Sequence, residues 1–275
     1  MPKKKITSED EQLILRLYQE GKTGSEILFL LNGKFKTTKT IYDCLSKYRI
    51  KKKEKWEYSN HNHFYFDKID TPNKAYVLGL MVADGWVCPK QNLIGLQLIE
   101  QDISIIKKVK KEWKTDNKII TCTKASFPNK DNTKIYTPTP MKRIAINSPK
   151  MIQSLSKLGV VHRKSKRVTL PFLKEYDSHM FRGIIDGDGS IYTHSNKKDK
   201  CIRILGSHYL VAQACLYLHM RLAISYRRPS SRENISFVDY SREDDVLALA
   251  MFLYKDIEDS FCIERKKNVV KDFLI

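Results

Sequence analysis

Apolar residues recur at helical spacing in three short segments near the N-terminus. Segment by segment, they are Leu13, Ile14, Leu17 and Tyr18; Ile27, Leu28, Leu30 and Leu31; and Ile41, Leu45 and Tyr48. Gly21 and the pair Asn32-Gly33 fall between the segments, where they predict a helix end and a tight turn. Residues 1–53 are therefore expected to form three short helices, an arrangement typical of a helix-turn-helix domain.

Residues 54–71 are rich in aromatic and polar side chains and show no helical periodicity. We expect this segment to be a connector that packs on its neighbours. It separates the N-terminal helices from the rest of the chain.

From residue 72 onward one pattern occurs twice, at AYVLGLMVADGWV (75–87) and MFRGIIDGDGSIY (180–192). Each copy predicts an apolar helix with a central glycine, Gly79 or Gly183, followed by an Asp-Gly pair and the start of a strand. Glycines at matching places would let the two helices pack closely. The copies lie 104 positions apart, which is the length of one small domain.

The residues that follow each copy also match. Each half predicts two strands, a helix, a second strand pair and a final helix. The second strand pairs fall around 118–123 and 141–147 in the first half, and around 224–227 and 235–240 in the second. The halves, 72–173 and 174–275, therefore each have the predicted order αββαββα. Two antiparallel sheets backed by helices make an α+β fold.

The chain of 275 residues carries 50 lysines and arginines against 31 acids, a formal net charge of +19. Such an excess favours a polyanionic partner, most often nucleic acid, because each neutralised phosphate releases condensed counterions. The outward face of the third predicted helix carries residue types that contact phosphates and base edges, namely Thr38, Lys39, Tyr42 and Lys47. A three-helix domain that binds protein is the alternative for this segment.

Strand alternation places Gln97 and Arg203 away from the core, because the neighbours of each are apolar. Arg143, Arg227 and Arg228 lie in or beside the later strands. Arginine and glutamine on an exposed sheet can read guanine and adenine edges, so these residues are candidates for base recognition. A solvated surface position is the alternative for each of them, since most protein–DNA contacts go to phosphates.

No apolar run is long enough to span a bilayer, and no apolar stretch follows the basic N-terminus as it would in a signal peptide. The six cysteines include no Cys-x-x-Cys pair, which argues against a zinc site and a disulfide framework. We therefore expect a protein of the cytoplasm of a bacterial or phage-infected cell, or of an organelle matrix, that is neither secreted nor in a membrane.

Asp84 and Asp188 end the two matching helices. A carboxylate at a helix C-terminus is disfavoured by about 0.3–1 kcal/mol unless a positive charge compensates. Two such acids at closely packed helix ends suggest a divalent cation, and hard oxygen ligands suit Mg²⁺. A helix cap or a surface ion pair is the alternative. Because Val82 in the first copy matches Asp186 in the second, we interpret Asp186 as a solvated or hydrogen-bonded neighbour, not a ligand.

VLGLMVADG and FRGIIDGDG resemble the two motifs of a monomeric LAGLIDADG homing endonuclease, and the resemblance covers residues from about 64 to 275. It implies that the motif helices form the interface between the halves and that the sheets form a saddle over the major grooves of DNA. It also implies that Asp84 and Asp188 bind the metal, helped by the carbonyls of Ala83 and Gly187. Cleavage across the minor groove would leave short 3′ overhangs.

The resemblance implies further catalytic positions. A basic residue near the end of each half lies by the scissile phosphates, and Lys164 and Lys266 match it. Phosphate contact or a solvated charge run is the alternative for both, since their segments are densely basic. A polar residue on the second strand orders water; it falls near Glu100 in the first half and Gly206 in the second. That difference puts equal cutting of the two strands in doubt.

These observations predict a Mg²⁺-dependent endonuclease that acts as a monomer on a long specific site in double-stranded DNA. Two or three divalent ions near the paired aspartates and no small-molecule cofactor are expected. The alternative is a non-cutting nucleic-acid binder on the same scaffold, either an intron-RNA maturase or a transcriptional regulator. A helix-turn-helix regulator with a ligand domain is a third reading, and the internal duplication counts against it.

Overall fold

A computed structural model describes residues 6–53, 59–128, 133, 135–163, 168–193, 200–232, 235–255, 257 and 261–274. The chain divides into two compact units, residues 1–60 and 61–275. Residues 61–71, which the sequence assigns to the connector, belong to the larger unit. They do so because Tyr65 and Phe66 are buried in its core.

The described residues of the smaller unit form three helices, α1 (Ser8–Gln19), α2 (Gly24–Leu30) and α3 (Thr38–Lys47). Capping boxes begin α1 and α2, since Thr7 and Thr23 each exchange hydrogen bonds with the acid three residues later. The helices meet around Ile14, Ile27 and Ile41, whose side chains are fully buried.

Two details of the smaller unit differ from the expectation. Residues 31–37 connect α2 to α3, a longer connection than the three or four residues typical of a helix-turn-helix. Leu30 and Tyr48 are exposed, although helical spacing predicts that both face inward. Tyr48 lies just beyond the end of α3, where its hydroxyl donates to Glu11 Oε2 at 2.6 Å.

The larger unit contains two halves with matching element order. The first half comprises α4 (Pro72–Ala83), β1 (Gly85–Cys88), β2 (Leu93–Ile99), α5 (Ile103–Glu112), β3 (Ile120–Cys122), β4 (Phe127–Pro128), β5 (Ile135–Tyr136), β6 (Met141–Asn147) and α6 (Pro149–Lys157). The second half comprises α7 (Asp177–Gly187), β7 (Ser190–Thr193), β8 (Lys200–Gly206), α8 (His208–Leu222), β9 (Ser230–Arg232), β10 (Ile235–Tyr240), α9 (Glu243–Tyr254) and α10 (Glu264–Lys271).

Each half builds one antiparallel four-stranded sheet, with the orders β1-β2-β6-β3 and β7-β8-β10-β9. The identical order confirms the predicted α+β duplication. The first half adds a small hairpin, β4-β5. The strand predicted at 224–227 is wrong, because the backbone N–H of Ser225 donates to the Asp245 carboxylate of α9 at 2.9 Å, and the third strand of that sheet is Ser230–Arg232.

The helices α4 and α7 form the centre of the core, and the contact between them is the most extensive between any two elements. Apolar residues of α5 and α8 are buried in the same core, among them Ile106 and Val211. The six cysteines are free thiols. Within the described residues, no helix is both long and apolar enough to cross a membrane.

Candidate metal and nucleic-acid site

The motif helices α4 and α7 cross at their glycines. A β-carbon on Gly79 would overlap the carbonyl oxygen of Met180 and lie 3.0 Å from the Cα of Gly183. A β-carbon on Gly183 would in turn overlap the carbonyl oxygen of Tyr76. Only glycine allows backbones to approach this closely, so the predicted interface role of both glycines is consistent with the geometry.

Asp84 and Asp188 stand at the C-terminal ends of these two helices. Their backbone N–H groups donate to Leu80 at 2.8 Å and to Ile184 at 3.1 Å, which completes the last turn of each helix. Both residues are half-buried, so their side chains remain accessible from solvent. The helix dipole places partial negative charge at both positions.

The two helix ends lie against each other. A β-carbon on Gly187 would overlap the Ala83 side chain and lie 2.9 Å from Asp84 Oδ2. The carboxylate of the first half therefore reaches the backbone next to Asp188 in the second half. Among the described residues, no group of three or more His, Cys, Asp or Glu side chains could hold a metal ion. A metal here would need the two aspartates supplemented by carbonyl oxygens, phosphate or water.

Lys266 does not lie where the resemblance places it. Its side chain is buried, and its ammonium donates to the carbonyl oxygens of Ile185, Asp186 and Gly189 at 2.6, 2.6 and 2.8 Å. Burial lowers the pKa of Lys266 to about 8, and the charge of Asp186 opposes that shift. The structure contradicts a position of this amine over a phosphate, because the backbone at and just beyond the end of α7 accepts from all three N–H groups. Lys164 falls outside the described residues.

Asp186 is hydrogen-bonded rather than solvated. Its carboxylate is buried and accepts hydrogen bonds from Tyr76 Oη at 2.8 Å, Tyr254 Oη at 3.3 Å and the backbone N–H of Ile263 at 2.8 Å. Burial raises the pKa of Asp186, and the positive charge of Lys266 opposes the increase. Of the two readings offered by the sequence, the hydrogen-bonded one is thus confirmed.

Sequence reasoning missed Arg182, which is buried one turn before Asp186. Its guanidinium donates to the carbonyl oxygens of Phe261 at 3.0 Å and Leu253 at 2.6 Å. The sequence does contain a signal for this role, because an arginine within an apolar helix requires buried hydrogen-bond partners. The first copy has Leu78 at the matching place.

The predicted match between Glu100 and Gly206 is wrong. Val87 pairs with Ile94 in the first sheet, and the equivalent Ile191 pairs with Ile202 in the second. Counting onward from these pairs, Gly206 matches Leu98. Glu100 accordingly matches His208, the first residue of α8. The second half is therefore two residues longer before this position than the predicted match assumes. The predicted chemical difference between the halves at Gly206 has no basis.

Glu100 itself is half-exposed at the end of β2. Its carboxylate pairs with Lys142 Nζ at 2.7 Å. The same amine donates to Thr121 Oγ1 at 2.8 Å. The lysine therefore ties Glu100 to the edge strand of the first sheet.

The candidate base-reading residues differ between the two sheets. Gln97 and Arg143 are paired across β2 and β6, and both are partly exposed on the face away from the core, as predicted. Arg203 is equally exposed, but its guanidinium forms a bidentate ion pair with Asp239 at 2.6 and 2.7 Å. The Asp239 hydrogen bond raises the pKa of Arg203 further. Two of its five N–H donors are therefore directed at Asp239 in the free protein.

Arg227 and Arg228 lie between α8 and β9, not in a strand. Arg227 approaches the Asp245 carboxylate at 3.9 Å. Arg228 is exposed. Of the two, Arg228 is the better placed to meet an outside partner.

The smaller unit presents part of its predicted DNA-contacting face. Lys39 is exposed, and Thr38 and Tyr42 are half-buried. Lys47 is held in an ion pair with Glu11 at 2.7 Å, which raises the pKa of the lysine. The outward face of α3 is thus less basic than its sequence suggests.

The chain matches no protein-family model and no curated protein sequence. Its fold does resemble solved structures. I-SmaMI bound to uncleaved DNA in the presence of calcium ions has a TM-score of 0.47 at 12% identity, with 74% of this chain and 91% of that chain covered. I-AabMI bound to uncleaved DNA has a TM-score of 0.44 at 14% identity, with 74% and 88% covered. I-LtrWI bound to target DNA has a TM-score of 0.43 at 12% identity, with 77% and 90% covered.

These neighbours are LAGLIDADG homing endonucleases. The part of this chain that they cover is about the size of its larger unit, which carries the two motif helices.

Proposed function

We propose that this chain is a site-specific endonuclease that hydrolyses one phosphodiester bond on each strand of double-stranded DNA. The observation that supports the proposal is the approach of Asp84 Oδ2 to Gly187, the residue before Asp188 in the other half. Two carboxylates at two helix C-termini repel each other and the helix dipoles. A site that retains both is suited to bind cations.

The donors available at the helix ends fit Mg²⁺. The Asp84 and Asp188 carboxylates and the Ala83 and Gly187 carbonyls are all hard oxygen donors, and both acids are partly open to solvent. When bound, Mg²⁺ would stabilise the charge that develops on the attacking and leaving oxygens of the phosphodiester. The chain's own contribution is to fix the acids through the closely packed helices α4 and α7.

The duplication supplies one carboxylate and one sheet for each DNA strand. The exposed sheet faces carry Gln97 and Arg143 in the first half and Arg203 in the second, and these would lie against the major groove. The net charge of +19 supplies attraction to the backbone. We propose that the protein acts as a monomer and cuts across the minor groove, which leaves short 3′ overhangs.

A randomised DNA library incubated with the protein and Mg²⁺ tests the proposal, with sequencing of the cut ends. We expect recurrent cuts within one long sequence, with staggered ends. Asp84→Asn and Asp188→Asn should each reduce cutting by more than about 100-fold, since loss of outer-shell groups alone costs up to that much. DNA binding should remain, because each substitution removes negative charge.

Asp272→Asn is the matched control, since Asp272 also ends a helix but is exposed and belongs to α10, not to a motif helix. It should cut like the wild type. Unchanged cutting by Asp84→Asn or Asp188→Asn would refute the metal assignment.

A non-cutting nucleic-acid binder is the second candidate. The burial of Lys266 favours it, because this residue was the expected cation beside the scissile phosphate in the second half. Sequence-specific retention of DNA without cuts at any Mg²⁺ concentration would establish this function instead.

A further inference from the structure

Residues 261–266, here called the C-terminal strap, tie both halves to the end of α7. The Phe261 carbonyl accepts a hydrogen bond from Arg182 Nε at 3.0 Å, and the Ile263 N–H donates to Asp186 at 2.8 Å. Arg265 forms a bidentate pair with the buried Asp102 of the first half at 2.8 and 3.2 Å. Lys266, the last residue of the strap, donates to the carbonyl of Gly189, which follows Asp188.

The contacts of Lys266 account for all of its donors. A lysine ammonium has three N–H groups, and three carbonyl oxygens accept from Nζ at 2.6–2.8 Å. Only 4% of the residue is exposed. No N–H group is left to contact a phosphate while these bonds persist.

The three acceptors bracket the second aspartate. Ile185 and Asp186 belong to the last turn of α7, whose carbonyls have no partner within the helix. Gly189 follows Asp188 directly. Lys266 therefore holds the backbone on both sides of Gly187 and Asp188, and its positive charge offsets the negative end of the helix dipole.

We propose that Lys266 is a positioning residue that sets the Gly187 carbonyl and the Asp188 carboxylate in place for a divalent cation, rather than a group that contacts the DNA. This inference rests on the proposed function. The side chain acts through the backbone of α7, as an outer-shell partner acts on a metal ligand.

Lys266→Met removes the charge and all three donors, and Lys266→Gln retains two N–H donors. Lys271→Met is the matched control, because Lys271 is exposed on the same helix and its change in charge is the same. Mn²⁺ affinity of the protein bound to its selected DNA duplex is measured by EPR of the free ion. The rate at which each DNA strand is cut is measured separately as a function of Mg²⁺ concentration.

We expect Lys266→Met to weaken Mn²⁺ binding about 10- to 100-fold, as outer-shell changes do. The Mg²⁺ concentration for half-maximal cutting of one strand should rise by a similar factor, while the rate at saturating Mg²⁺ stays near that of the wild type. Lys266→Gln should recover part of the loss, and Lys271→Met should behave like the wild type. A lower saturated rate with unchanged metal affinity would overturn the proposal, since it indicates direct action on the substrate.

If both Lys266 substitutions prevent folding, an NMR measurement on the wild-type protein tests the proposal instead. With ¹⁵N-labelled lysine side chains, the buried ammonium should give an NMR signal protected from exchange that keeps its protection when DNA is added. Loss of protection on DNA binding would overturn the inference. A wild-type complex that binds Mn²⁺ but never cuts would instead refute the proposed function and leave the role of Lys266 intact.

Discussion

The ends of α4 and α7 carry the same Asp-Gly pair but are supported by different surroundings. Val82 occupies the first helix where Asp186 occupies the second, and Leu78 matches Arg182. The second helix is therefore anchored by buried polar groups of α9 and the C-terminal strap, whereas α4 is buried almost entirely among apolar side chains. Duplication preserved the backbone and the acids, while the support of each acid diverged.

Replacing Asp186 with valine, the residue at the matching position of the first half, should have the largest effect on stability. Asp186→Val leaves the hydroxyls of Tyr76 and Tyr254 and the N–H of Ile263 without their acceptor, and it removes the acid that acts most strongly on Lys266. We expect a loss of about 3–5 kcal/mol in the free energy of unfolding, measured by urea denaturation. Asp186→Asn, which keeps one acceptor oxygen, should lose less. If Asp186→Val unfolds within 1 kcal/mol of the wild type (roughly the error of extrapolation), the polar anchor contributes nothing.

Gly79→Ala and Gly183→Ala test a feature that the two halves share, the close crossing of α4 and α7 at these glycines. Alanine is favoured over glycine in a helix by about 1 kcal/mol, so a loss of stability can come only from the close contact. We expect each substitution to lower the free energy of unfolding by about 1–3 kcal/mol, because the new methyl group meets partner backbone. Urea denaturation of both variants gives the measurement. A stable Gly79→Ala beside an unstable Gly183→Ala would show that the crossing is not symmetrical in solution.

Asp239→Asn addresses the smaller difference between the two sheet faces. The Arg203–Asp239 pair is about one-third exposed, so its loss should cost less than about 1 kcal/mol of stability. The freed guanidinium should raise DNA affinity and steepen the plot of log affinity against log salt by about 0.9 if it gains one phosphate. Filter binding over a salt series measures both. Asp244→Asn, an exposed acid on α9, controls for the change in charge; an equal effect there would mean that Arg203 gains no contact.

The sequence predicts the duplication, because the spacing of apolar and polar residues within each segment determines the helices and strands of both halves. Two apolar helices with central glycines and terminal acids, and strands of alternating residues, predict the element order and the crossing at Gly79 and Gly183. The predicted strand at 224–227 failed because a side chain of α9, far along the sequence, captures the backbone of Ser225. The same patterning predicted Leu30 and Tyr48 to be buried, because it does not show where a short helix ends: Leu30 is the last residue of α2, and Tyr48 follows α3.

The supports of the site were not readable from the sequence. Lys266 lies in a basic run that looks solvated, and only the folded chain shows its amine enclosed by the carbonyls of α7. Arg203 alternates correctly in its strand, yet its partner Asp239 lies on a strand that the sequence does not align with it. The match of Glu100 with Gly206 failed because the loops between paired strands differ in length, and hydrogen-bond register rather than sequence spacing decides which residues correspond.

The C-terminal strap also affects the order in which the parts of the candidate metal site are completed during synthesis. A ribosome that adds about 5–20 residues per second makes Lys266 roughly 4–16 s after Asp188. During that interval the nascent chain already contains both aspartates but lacks the amine and the Ile263 N–H that fasten the end of α7. The second aspartate therefore gains its backbone support only after the strap has emerged, so the proposed metal site is completed late in synthesis.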